Sequence, residues 1–502
     1  MGRTAYHGGG GLGLCFAVLL AFVVLGSVAL WRSPHHADSG DAVNPSTYLV
    51  APLGSSRGAL ETTYPPRRAL AQLKKGDILS GEGGSSQKDG GQRKARVGNK
   101  AEADDQLREK LLKEIGSSWE IDALGTDVAL KPVSEPQQST GIYYDASALI
   151  ATHAEMEEKF KIYVYKDGDE PLVHTGPCKE IYAIDGLFQN ELQRETNKFV
   201  TKDPARADLF FVPYNPTNVV DLLFEPGSHS YAPMVEFVKD YITHIQSQHP
   251  YFNRSNGTDH FMLSCHDWSS YTTWAHEVFD INSIKVLCNA NSSQNFHSKK
   301  DVSLPELTIP GGMYPLVFDG NPPENRSLLA FFSGGDHGPV RPLLFQHWLN
   351  RNDSDMLIFK QTQVISLDEN YIKLMERAKF CLCPAGYDVN SPRLVESIYY
   401  GCVPVIVTDD FVLPFSEVLR WETFSVRLPV KDIPNMKKIL ASIPLATYIS
   451  MQAKLKHVRR HFIWNNPPQK YDIFHMVMHD LWVRKKRLLN KEIEYVYVPN
   501  VH

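Results

Sequence analysis

Arg393 and Glu396 stand three residues apart in the run KFCLCPAGYDVNSPRLVESIYYGCVPVIVTDD, Lys379 to Asp410. On a helix that spacing puts both on one face. An arginine there can clamp a diphosphate and a glutamate can accept from ribose hydroxyls, a pair suited to a nucleotide-sugar; a surface ion pair has the same spacing. A second group, SGGDHGPVR at 333–341, sets Ser333 and Gly334 where a strand meets a helix and Arg341 just beyond. Glycines let backbone N–H groups approach an anion and the helix dipole favours negative charge, although a plain glycine turn has the same composition. SCHDW at 264–268 offers His266 or Asp267 as a general base at a strand end, or else a capped loop beside a buried Trp268. Asp185, in YAIDG, is a further candidate.

Other chemistries lack their residues. Neither glycine segment reads G-x-G-x-x-G or G-x-x-x-x-G-K-[ST], and no G-x-S-x-G elbow is present. Asp167-Gly168-Asp169 matches a D-x-D pattern that holds Mn²⁺ and a diphosphate, but K-D-G-D-E after a strand is also a simple turn. Asp409-Asp410 ends a strand and suits a cap. No His, Glu or Cys cluster has metal spacing, so no metal is expected.

The elements that must position these residues alternate strand and helix. In the Lys379–Asp410 run, apolar stretches at 379–383 and 402–407 flank a helix expected to start at Ser391-Pro392, with Ser391 as its cap. Upstream, 161–165, 207–214, 260–268 and 283–289 read as strands, and 231–252 as an amphipathic helix. Downstream, 327–335 reads as strand, 339–349 and 371–380 as helices, 431–461 as helical and basic, and 469–487 as a last amphipathic helix. Such alternation implies parallel sheets, and two such halves imply two Rossmann-like domains facing a cleft, at 155–325 and 326–487, with 488–502 as a tail.

The N-terminus differs in kind. Residues 11–31 carry no charge and are long enough for a transmembrane signal-anchor, with 1–10 as a short cytosolic tail; a cleaved signal peptide is the alternative. Residues 32–154, rich in Gly, Ser, Pro and Lys, read as a disordered stem. Sequons at Asn253, Asn256, Asn291, Asn325 and Asn352 suit a lumenal domain. Six of the seven cysteines lie beyond the anchor, which permits three disulfides; Cys381 and Cys383, in an apparent strand, read as buried free thiols. A net charge of −5 argues against a general nucleic-acid binder.

Taken together, HGPCKEIYAIDGLF (174–188), ADLFFVPY (207–214), HPYFNRSNGTDHFMLSCHDW (249–268), LCNAN (287–291), HG-x-x-R (337–341), LFQHW (344–348) and FCLCPAGYDVNSPRLVESIYYGCVPVIV (380–407) resemble the plant exostosin-type glycosyltransferases of family GT47. The resemblance covers about 155–485 and is nearest the branch of xylogalacturonan xylosyltransferase and arabinan arabinosyltransferase-like members. It implies an α/β GT-B fold and a single-pass type II Golgi membrane protein with its catalytic domain lumenal. It implies inverting transfer from a UDP-sugar to a cell-wall polysaccharide, with no cofactor or metal. Partners would be donor, acceptor and membrane, with self-association or assembly with other Golgi transferases. A non-catalytic carbohydrate-binding or assembly protein of the same fold is the alternative. Carried over by motif, Arg341, Ser391, Arg393 and Glu396 would line the donor site. Asp388 and Glu396 match an acidic E-x7-E pattern, with Asp in place of the first Glu.

Overall fold

The computed structural model describes residues 134–490, apart from 226–227, 229, 275, 310–319, 350, 352 and 361–366. The expected tail and anchor, the stem through 133, the residues from 491 and the Asn352 sequon lie outside the described residues. Among those described, no helix is long and apolar enough to cross a membrane.

Two five-stranded sheets organise the chain, both wholly parallel. The first joins β1 (Ile162–Val164), β3 (Leu209–Phe211), β4 (His260–Ser264), β5 (Ile284–Leu287) and β6 (Val302–Ser303) in that spatial order. Its central strands are buried along their whole length, as helices on both faces require. Lys285 in β5 is buried and is neutralised by Asp280 at 2.7 Å. A two-stranded ribbon of β2 (Glu180–Ile181) and β7 (Thr308–Ile309) lies outside this sheet.

The second sheet comprises β8 (Leu328–Gly334), β9 (Met356–Lys360), β10 (Ala378–Pro384), β11 (Val403–Val407) and β12 (Val426–Arg427), ordered β12-β11-β10-β8-β9. From β8 the chain steps outward to β9, then returns to the other side of β8 as β10. The loops leaving β8 and β10 therefore diverge, and the crevice beyond their C-terminal ends is where open α/β sheets hold ligands.

Three boundaries depart from the sequence reading. The helix expected over 231–252 is two, Ala232–Gln248 and Pro250–Ser255, because Pro250 has no N–H to continue the ladder. The helix after β10 is Arg393–Tyr399, with Pro392 at the cap position; Ser391 accepts the Arg393 N–H at 3.4 Å instead of capping further along. The folded body also begins before 155. The helix Ala146–Lys159, which begins inside the expected stem, packs on Ile473–Leu489 through Thr152 and His479 at 2.7 Å and Glu155 and Lys486 at 2.7 Å.

That last helix, expected in the second half, returns to the first. Phe474 meets Phe188 and Phe199, and the Arg484 guanidinium donates to the Asp301 carbonyl. It is buried almost all round from Ile473 to Trp482, so it is a shared core helix rather than an amphipathic cover. One apolar cluster runs through both sheets.

Disulfides link Cys265 to Cys288, across the exits of β4 and β5, and Cys381 in β10 to Cys402 before β11. Cys381 is thus not the free thiol expected. Cys383 is buried and lies outside both bridges, and the Cys178 sulfur accepts from Asn190 Nδ2 at 3.1 Å.

Candidate active site

The crevice of the second sheet is built by two loops that touch backbone to backbone. β8 runs out at Ser333 and Gly334, and Gly335 to Pro339 lead into the helix Val340–Trp348. β10 runs out at Pro384, and Ala385 to Asp388 follow. Gly338 has φ +67°, and a Cβ there would overlap the Gly386 carbonyl, so only glycine permits this approach.

Arg341, in the first turn of its helix, is almost wholly buried and ties the loops together. Its Nε donates to the Pro384 carbonyl at 3.4 Å and its NH1 to the Gly335 carbonyl at 3.3 Å. Arg393 comes in from the other side: NH2 donates to the Ser333 carbonyl at 2.7 Å and NH1 to Ser391 Oγ at 3.3 Å. Both guanidinium groups approach the Phe332 ring, Arg393 at 4.7 Å and Arg341 at 5.9 Å. Two cations thus sit at the switch point beside glycine backbone, a setting matched to a nucleotide diphosphate.

Glu396, one turn after Arg393, is mostly buried, and its carboxylate accepts from the Tyr371 hydroxyl at 2.8 Å. Burial raises its pKa while Arg393 opposes the rise. The Arg393–Glu396 pair is therefore not an open surface ion pair but part of the crevice lining. Ser333, Gly334, Arg341, Ser391, Arg393 and Glu396 all come together here.

The first sheet contributes acids. β4 delivers Cys265, His266 and Asp267, and its exit is held by Asp185, whose fully buried carboxylate accepts the Cys265 N–H at 2.8 Å. Asp185 therefore positions the loop and does not face a substrate. His266 Nδ1 accepts the Trp268 N–H at 3.1 Å, which occupies the lone pair a base would use. Asp267 is partly open, and the Tyr182 hydroxyl donates to its Oδ1 at 2.7 Å.

Asp388 crosses between the halves. Its Oδ1 accepts from Asn289 Nδ2 at 2.7 Å, and the Val389 N–H donates back to Asn289 Oδ1 at 3.3 Å. Next to it, Asn390 Nδ2 donates to Glu306 Oε2 at 2.7 Å. Burial, then the charge of Asp267, pushes Glu306 up to about 8. The same two causes push Asp388 well above the carboxylate range. Asp388 and Glu396 thus do different things: the first bonds to the first half, the second lies beside Arg393. Sequence reading missed Glu306, Asn289 and Tyr182. Asn289 sits in the quoted LCNAN, but a lone Glu306 between Pro305 and Leu307 carries no pattern.

Other sequence candidates fall elsewhere. Asp167 is held by His249 at 2.8 Å while Asp169 is exposed, the arrangement of a turn. Asp409 caps the Val430 N–H at 3.3 Å. Among the described residues, no group of three or more His, Cys, Asp and Glu side chains could hold a metal ion. Asn253 and Asn325 are exposed, and Asn256 is partly so. Asn291 is 7% exposed and bonded to Ser293, so its sequon is not presented by the folded chain, contrary to expectation.

Comparison with known proteins agrees with this geometry. Residues 156–443 match the exostosin GT47 domain. A probable glycosyltransferase of Arabidopsis thaliana is 44% identical over 364 residues, 72% of this chain and 69% of its own. A second from that plant is 46% identical over 353 residues, 69% of this chain and 72% of its own. A probable beta-1,4-xylosyltransferase of Arabidopsis thaliana is 31% identical over 348 residues, 64% of this chain and 82% of its own.

Proposed function

The chain belongs to the exostosin GT47 family and is a glycosyltransferase, and from that premise we propose that it moves a sugar from a UDP-sugar to a plant cell-wall polysaccharide with inversion. The observation that carries this reading is the pairing of two cations, Arg341 and Arg393, at one switch point with a partly open carboxylate, Asp267, supplied from the other sheet. A GT-B arrangement of two nucleotide-type halves is the fold this corresponds to. A type II anchor in the Golgi membrane, with the folded body lumenal, completes the proposal.

In the proposed reaction the acceptor hydroxyl oxygen forms a bond to the anomeric carbon while the bond from that carbon to the diphosphate oxygen breaks. The electron pair leaves with UDP, whose added charge is met by Arg341, Arg393 and the backbone of the 333–338 loop. The hydroxyl proton passes to Asp267. Burial and the neighbouring charge hold Glu306 and Asp388 protonated to higher pH than ordinary carboxyls, and Asp267 is the partly open carboxyl beside them. Tyr182 orients it. Glu396 reaches the donor side, where a carboxylate can accept from ribose hydroxyls.

The test is a panel of UDP-sugars with xylan and pectic oligosaccharides, using the full chain with EDTA present. Transfer from one donor is expected. UDP binding with no transfer from any donor would favour a non-catalytic glycan-binding or assembly protein of the same fold.

A further inference from the structure

Beyond the carboxyls, an aromatic series runs outward from the candidate base. Trp268 directly follows Asp267, and its ring stands 5.7 Å from His266. Tyr231 meets Trp268 edge-on at 5.0 Å, and Tyr271 lies flat on Tyr231 at 4.9 Å with the rings 6° from parallel. Trp274 follows, edge-on to Tyr271 at 5.4 Å. The outer two rings are the open ones: Trp268 and Tyr231 are partly buried, while Tyr271 is 42% exposed and Trp274 40%.

The series is held from beneath. Tyr271 sits on the helix Ser269–Thr273, whose Thr272 is buried and shares a hydrogen bond of 2.5 Å with Tyr214. Ser269 also bonds to Ser264 at the end of β4, so the strand that delivers Asp267 fixes the helix that presents Tyr271. Rings fixed in this way lose little freedom on binding, which makes Tyr and Trp efficient contact residues. Contiguous exposed aromatics also mark a binding surface rather than a core.

We propose that this strip is the acceptor subsite: a glycan chain lays the apolar C–H faces of successive sugars on Trp274 and Tyr271, and its reacting end reaches Asp267. The assignment rests on the transferase reading above. The strip is continuous with the base through Trp268 and His266, and a polymeric acceptor needs a track that leads there from solvent. Sugars present flat C–H faces ringed by hydroxyls, which aromatic faces with open edges suit. The partner is thus a polysaccharide rather than a second copy of this chain.

The probes are soluble xylan and homogalacturonan, cast separately into native gels. Full-length protein in detergent is compared with Tyr271→Ala/Trp274→Ala, and UDP affinity is measured in parallel by calorimetry. Retardation of the unaltered chain by either polysaccharide is expected, weakened at least about tenfold in the double variant, with UDP affinity unchanged. If the double variant does not fold, Trp274→Ala alone is compared in the same gels. Absence of retardation by both polysaccharides, or equal retardation of variant and parent, overturns the proposal. So does a change in oligomeric state on sedimentation without loss of glycan binding. Failure of the parent chain to bind UDP would refute the transferase reading, while glycan binding that depends on residues 271 and 274 would still support the strip.

Discussion

Replacing Glu306 with glutamine tests the charge arrangement at the centre of the site. The carboxyl is 5% exposed, and one of its oxygens accepts from Asn390 at 2.7 Å, a bond the glutamine oxygen can also accept. Its pKa rises from 4.5 to about 8, first through burial and then through the charge of Asp267, with Arg341 opposing. The sign follows from the direction: the folded chain keeps a proton that the unfolded chain releases, so folding weakens as pH rises from 4.5 through about 8. At about 1.4 kcal/mol per pH unit, the cost at pH 7 is about 3 kcal/mol, levelling near ~5 kcal/mol above the folded pKa. Glutamine never ionises, so Glu306→Gln should match the parent near pH 4.5 and be more stable by about 3 kcal/mol at pH 7. Urea unfolding followed by tryptophan fluorescence between about pH 5 and about pH 8 reads this directly. A stability difference that does not change with pH would refute the argument, because it would mean that Glu306 does not exchange its proton on folding.

Asp267→Asn keeps the oxygen that accepts from Tyr182 but removes the base; kcat should fall about 10²- to 10⁴-fold with UDP-sugar affinity unchanged, read by UDP release and calorimetry. Arg393→Ala should abolish transfer and weaken UDP binding. It should also cost about 3–5 kcal/mol in urea unfolding, since Glu396 loses its neighbouring cation inside the crevice. Cys402→Ser opens the loop closed by the bridge to Cys381 and should cost about 2–4 kcal/mol in urea unfolding, with a further loss when reducing agent opens the Cys265–Cys288 bridge as well. Asn325→Gln should remove one glycan from secreted protein on gels, and Asn291→Gln should leave the mobility unchanged.

The donor side of the site was legible because it is local. A strand, a glycine turn and a helix start lie within a few residues of each other, so spacing sets Ser333 and Arg341, and Arg393 and Glu396, at strand-to-helix turns, with a plain glycine turn and a surface ion pair as the alternatives. The acid side was only half legible. His266 and Asp267 mark a strand end, but their ranking depends on which atoms their neighbours occupy: the Trp268 N–H on His266 and the Tyr182 hydroxyl on Asp267. Glu306 could not be found, since it has no periodic or spaced partner and gains its role from Asn390, 84 positions away, and from the charge of Asp267. Cysteine pairing was illegible for the same reason. Six cysteines allow fifteen pairings, and only the fold brings Cys381 and Cys402 to a Cα separation of 5.7 Å. The last helix misled because its period fits a surface cover, while the helix Ala146–Lys159 that buries its other side lies over 300 residues earlier.

The chain passes between the two sheets more than once. It crosses after β7 into the second sheet, and after Phe462 it goes back to lay Ile473–Leu489 against the first. The segment before Ala146 is also anchored across, through Ile142 and Tyr144 to the 418–420 backbone. A body hinged on one strand can swing in any direction; one laced by several can rotate only about an axis passing near all of them. A displacement of one sheet against the other would break the Asp388–Asn289 bond and the bonds from Ile142 and Tyr144 to the 418–420 backbone together. The same lacing means that the first half, cut out alone, would lack the helix Ile473–Leu489 that the far end of the chain lays against it.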